Sequence, residues 1–126
     1  QLSVFGDDYP TVDGTGERDY IHVMDLARAH VLAVERLLAD NDSFTVNIGT
    51  GKPITVLQMV HAFERVSGKK IPYVIAPRRA GDVASVYAAP ELAKTLLNFA
   101  TEFTVDDMCR DAWVWQSSNP NGYDVG

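Results

Sequence analysis

The chain has 126 residues, with 11 Lys and Arg against 17 Asp and Glu, for a formal net charge of −6. Hydrophobic residues make up 46% and charged residues 22%, the balance of a single globular domain and not of a disordered chain. The acidic balance excludes an electrostatic footprint for nucleic acid, and no apolar stretch approaches the roughly 20 residues of a membrane span.

In chain order, residues 1–6 read as an apolar strand ending at Gly6 and already under way at its first residue. A processed or truncated chain opens like this, and so does a cloning boundary. QLSVFGDDYP holds neither a basic nor an apolar leader region, so no signal peptide is expected. The run DDYPTVDGTGERD is loop chemistry, and Tyr20–Val23 is a short β-prone run. Asp25 is the N-cap candidate for a helix over about 26–40, closed by Asn41 and Asp42. Leu26, Ala29, Ala33 and Leu37 mark one face of that helix, and Val31, Val34 and Leu38 widen it. That is more apolar surface than a peripheral helix needs, so it either is central or packs against a further part.

Phe44–Ile48 read as a second strand, running into the turn Gly49–Thr50–Gly51. Thr55 and Gln58 form a capping box for a helix near 56–67, with Gly68 as its terminator. Ile71–Ala76 read as a third strand, Arg78–Asp82 as a charged loop and Ala84–Ala88 as a further extended run. Pro90 suits the first turn of a short helix through about Leu97. Thr104 and Asp107 start the last helix, with Met108, Ala112 and Trp115 on one stripe, and the tail 117–126 is expected to be loosely ordered. The alternation is that of an α/β fold without repeats.

Several motifs fail on inspection. Gly49–Thr50–Gly51–Lys52 lacks the first glycine and the Ser/Thr of a P-loop, having Val46 and Pro53 there, and Ile54 stands where a dinucleotide fingerprint needs its third glycine. A simple turn is the better account. His22, His30 and His61 lack metal-ligand spacing; His22 and Asp25 can approach each other, but no third ligand is evident and zinc is not expected. Cys109, lying between Met108 and Arg110 in a helical pattern, reads as packing, and as the lone cysteine it favours a reducing, cytoplasmic compartment.

What stands out is loop-borne arginine. Arg18 follows Gly14-Thr-Gly16, and Arg78–Arg79 precede Gly81–Asp82. Forked guanidinium groups there can clamp a diphosphate while Asp82 accepts from ribose hydroxyls. Equally, Arg18 can pair with Asp19 and Arg79 with Asp82 at the surface. Spacing alone leaves both readings open.

The stretches FGDDYPTVDGTGERDYIHVMDLARAH, VNIGTGKPITVLQMVHAFERVSGKKIPY, APRRAGDVASVYAAPELA and DDMCRDAWVWQSSNPNGY cover nearly the whole chain. Together they resemble the UDP-glucose 4-epimerase family of extended short-chain dehydrogenases. The element Arg18-Asp19-Tyr20-Ile21-His22-Val23 is shared by many such dehydrogenases; the Phe5–Arg18 run, the Pro77-Arg78-Arg79 loop and Trp113-x-Trp115-Gln116 are more specific. The resemblance implies that residues 1–126 are the C-terminal substrate-binding lobe of an α/β enzyme, lacking most of its N-terminal Rossmann domain. That missing domain would bind NAD and carry the homodimer interface.

The family interconverts UDP-galactose and UDP-glucose: a Tyr assisted by a Lys takes the 4-hydroxyl proton, hydride passes to NAD, and the 4-keto sugar turns before hydride returns. No Tyr in this sequence has Lys four positions later, so no catalytic residue is assigned and the chain alone is expected to be inactive. Carried over residue by residue, Ser3 and Phe5 hold the uracil, Arg18 and Arg79 bind the diphosphate, Asp82 binds the ribose and Tyr20 sits beside them. The resemblance thus favours the phosphate reading of the arginines. Val86 falls where some members have Tyr or Cys at the edge of the sugar pocket, which implies room for N-acetylated UDP-hexosamines unless Tyr87 fills the gap. A lobe of a nucleotide-sugar dehydratase or decarboxylase, and a non-catalytic UDP-sugar-binding module, are the competing readings.

Overall fold

A computed structural model describes residues 1–40 and 42–123. The chain is α/β: β1 (Leu2–Phe5), β2 (Glu17–Arg18), α1 (Val23–Asp40), β3 (Ile54–Thr55), α2 (Val56–Ser67), β4 (Tyr73–Ala76), β5 (Ser85–Val86), α3 (Glu91–Leu97) and α4 (Val105–Ser118). Two small sheets hold the strands. β1 lies parallel to β4, Leu2 opposite Tyr73 and Phe5 opposite Ala76. β2 is central in the other, antiparallel to β3 and parallel to β5. No helix among the described residues is long and apolar enough to cross a membrane.

The helices start and stop where local chemistry tells them to. α2 has its capping box, with Thr55 accepting from the Gln58 amide and Gln58 answering the Thr55 amide, and it ends on Gly68 at φ +66°. α4 opens on the matching Thr104–Asp107 box. It runs through Ser118, so Ser117 and Ser118 belong to the helix and not to a loose tail. Beyond it the Asn119 amide donates to the Trp115 carbonyl, and Tyr123 meets the Trp115 ring edge-on at 5.7 Å. Residues 124–126, the end of the expected tail, and Asn41, expected to close α1, lie outside the described residues.

α1 corrects the sequence reading at its start. It begins at Val23, within the run expected to be a strand, because the ring of His22 caps it: the Met24 amide donates to His22 Nδ1 at 3.1 Å. Asp25 is therefore inside the first turn and fully buried. Its carboxylate accepts from the Glu102 and Phe103 amides and from Arg28, fastening α1 to the segment before α4.

Phe44–Ile48 is the other correction. Burial alternates as in a strand: Phe44, Val46 and Ile48 pack on the buried cluster of Ala29, Ala93, Leu97 and Phe99, while Thr45 and Asn47 are exposed. Yet no ladder forms, because no described segment lies alongside to pair with it. On α1, Met24, Val31, Val34 and Leu38 remain more than half exposed, an apolar surface that nothing among the described residues covers.

Candidate functional site

Three aspartates set the loops that frame the site. Asp13 accepts from the Thr15 amide and hydroxyl and from the Thr55 hydroxyl, pinning the end of the 7–16 loop to the start of α2. Asp19 accepts from the amides of Thr50 (3.0 Å), Gly51 (2.9 Å) and Ala88 (3.1 Å) and from the Thr50 hydroxyl. Burial works to raise the Asp19 carboxyl, but these donors outweigh it and hold it below its ordinary value. The glycine turn is thus wrapped around an internal carboxylate, and a Cβ on Gly49 would come within 2.5 Å of Asp19 Oδ2. Its amides are spent within the protein.

With β2 fixed between β3 and β5, Arg18 faces the loop that follows β4. A cleft of about 270 Å³ opens there, and Ser3, Phe5, Arg18, Tyr20, Arg79 and Asp82 all line it. Arg79 Nε donates to Asp82 Oδ2 at 2.9 Å, and its guanidinium lies 4.7 Å from the centre of the Phe5 ring. Arg18 donates to the carbonyls of Glu17 (2.7 Å) and Val83 (3.0 Å) and comes within 3.9 Å of Asp82. The surface-pairing reading therefore holds for Arg79 with Asp82 but not for Arg18 with Asp19, whose carboxylate is occupied elsewhere. Two guanidinium groups converge on one carboxylate, so the cleft keeps an unneutralised positive charge inside an acidic chain.

Val86 stands apart. It pairs with Arg18 in the β2–β5 ladder, but its half-exposed side chain is not among those lining the cleft, and neither is Tyr87. A ligand would have to extend beyond the cleft for Val86 to bound it. Val4, Tyr9, Gly16 and Val56 also line the cleft and escaped the sequence reading. Gly16, two residues before Arg18, and Val56, directly after the capping Thr55, carried a positional signal. Tyr9 carried none beyond membership of the loop.

His22 does not approach Asp25 through its ring. Its Nδ1 accepts from Met24, so Nε2 carries the hydrogen and donates to Asp111 at 3.2 Å, while the ring stacks on Phe103 at 4.3 Å. Cys109 is buried with its sulfur 3.5 Å from that of Met59, and burial pushes its thiol up. That is a packing cysteine.

Comparison with known proteins bears on this cleft. The NAD dependent epimerase/dehydratase family pattern matches residues 1–49. UDP-glucose 4-epimerase from Bacillus subtilis is 55% identical over 123 residues, and that from Mus musculus 53% over 122, covering 98% and 97% of this chain. Over nearly its whole length the chain is similar to UDP-glucose 4-epimerases. It spans 36% and 35% of the length of those two relatives. Among solved structures, the UDP-glucose 4-epimerase from Stenotrophomonas maltophila, with bound NAD and formylated UDP-arabinopyranose, superposes with a TM-score of 0.93 at 48% identity, covering 95% of this chain and 36% of that one. The Bifidobacterium longum epimerase in complex with NAD+ and UDP gives 0.89 at 46% identity, covering 96% and 36%.

Proposed function

We propose that this chain is the nucleotide-sugar-holding part of an NAD-dependent UDP-glucose 4-epimerase that interconverts UDP-galactose and UDP-glucose in the cytoplasm. The observation that carries the reading is the convergence of Arg18, Arg79, Asp82 and Phe5 on one cleft. Arg18 and Arg79 grip the diphosphate, the Phe5 ring and the β1 backbone at Ser3 flank the uracil, and Asp82, released from the arginines, accepts from the ribose. Tyr20 borders the diphosphate end. The balance of magnitudes favours the exchange. The exposed Arg79–Asp82 pair is worth roughly 0–1 kcal/mol, whereas a desolvated guanidinium–phosphate contact is worth roughly 1.5–3 kcal/mol. Two such anchors on UDP leave the hexose free to turn.

The residues described do not fit NAD. The one glycine turn that invites the comparison has its amides on Asp19, and the sequence holds no dinucleotide fingerprint. In this reading a Rossmann part within the remaining length of the relatives binds NAD, carries the hydride chemistry and forms the homodimer. Calorimetric titration of the 126-residue chain tests the assignment. UDP is expected to bind weakly, Arg79→Ala to weaken it by about tenfold or more, and NAD to give no heat. UDP failing to bind, or binding equally to Arg79→Ala, overturns the reading.

A further inference from the structure

Two arginines stand side by side before Gly81–Asp82, and only the second lines the cleft. Arg78 turns instead to the 7–16 loop. Its Nε donates to Asp8 Oδ1 and a terminal guanidinium nitrogen donates to the Asp8 carbonyl, each at 2.6 Å. The same guanidinium lies 3.9 Å from the centre of the buried Tyr9 ring, part of the cleft wall. Gly6, at φ +84°, leaves room for the stem: a Cβ there would come within 2.7 Å of Arg78 Cγ. Among the described residues, the two bonds to Asp8 are the only hydrogen bonds that tie residues 78–82 to the rest of the fold. The loop's other bonds run within it, from the Arg79 guanidinium to Asp82 and from the Asp82 amide to the Arg79 carbonyl. A ligand that takes both Arg79 and Asp82 breaks their ion pair, and the loop then depends on Arg78 for its place. A loop held in place beforehand loses less affinity to ordering when the ligand arrives.

We infer that Arg78 is a positioning residue: clamped on Asp8 and Tyr9, it seats the 78–82 loop so that Arg79 meets the diphosphate. The inference rests on the UDP-holding function proposed above. Asp8→Ala tests it, because charge and clamp then predict opposite signs. Removing a negative charge beside the cleft strengthens the binding of an anion, whereas unfastening Arg78 weakens it. NMR titration of the 126-residue chain with UDP should show about two- to fivefold weaker binding to Asp8→Ala than to the unmodified chain. In an Arg79→Ala background the same substitution should change the affinity by less than about twofold, because the side chain being positioned is gone. Binding to Asp8→Ala as tight as to the unmodified chain, or tighter, overturns the inference while leaving the proposed function standing. A full Asp8→Ala effect in the absence of the Arg79 side chain overturns it as well. The Asp8 side chain is 73% exposed, so without ligand the melting temperature of Asp8→Ala should fall by no more than about 5 °C. A larger fall assigns the clamp to the stability of the whole fold and also overturns the inference. If the unmodified chain does not bind UDP, the proposed function fails and takes this inference with it.

Discussion

Carboxylates organise this protein residue by residue, and they do so by being buried. Asp25 is fully enclosed, yet its two oxygens collect the Glu102 and Phe103 amides and a guanidinium nitrogen of Arg28. Burial pushes its carboxyl up, but the bond from Arg28 and the two amides prevail and hold it below the ordinary value. Asp25→Asn keeps the volume but turns an NH2 toward donors and leaves Arg28 without its counter-charge. We expect a loss of about 3 kcal/mol in urea unfolding, in the range for breaking a buried charged pair. A loss below about 0.5 kcal/mol would show that the amides find other acceptors. In the sequence Asp25 reads as a cap, because an Asp before an apolar periodic run carries that signal. Its two amide donors lie 77 and 78 positions away, and nothing local marks them.

At the scale of elements the same contrast recurs. α2 is legible at both ends and α4 at its start, since their capping boxes lie inside four-residue windows. β2 is not, because a two-residue strand is defined by its neighbours β3 and β5, not by its own composition. Phe44–Ile48 shows the converse: it carries the period-2 signature and is packed on one face, but a ladder needs a second strand. Thr55 joins two of these scales, ending β3, capping α2 and donating to Asp13. Thr55→Ala should therefore cost more than the roughly 1 kcal/mol of a helix cap, about 2–3 kcal/mol in all. Thr104→Ala, whose hydroxyl bonds only within its own capping box, should stay near 1 kcal/mol in the same denaturation assay.

For the whole molecule, net charge is a poor guide to where ions bind. An overall −6 coexists with a cleft in which two arginines face one aspartate. Arginines beside flexible glycines exposed the candidate cleft in the sequence, whereas Tyr9 reaches it only through the fold. The acidic groups also set the response to pH. Asp13, Asp19 and Asp25 lie below the ordinary carboxyl value in the folded state, and the Thr104 bonds, with Arg110, take Asp107 down to about 2. A depressed folded value means that their contribution is complete above the unfolded pKa and is lost as pH falls through the folded one. The melting temperature should therefore be flat from about pH 7 to 5 and fall steeply from about pH 4 toward 2. A melting temperature that held constant down to pH 2 would contradict this.

The unladdered segment has one more consequence. Phe44-Thr45-Val46-Asn47-Ile48 keeps its apolar face in the core while its backbone N–H and C=O groups make no bond to any described residue. Such an edge is a template for foreign strands, and natural proteins usually guard one with lysine, proline or a bulge. These five residues contain no charge and no proline. Self-association of the chain is therefore expected to begin at this short neutral seam, which its six surplus negative charges do not guard.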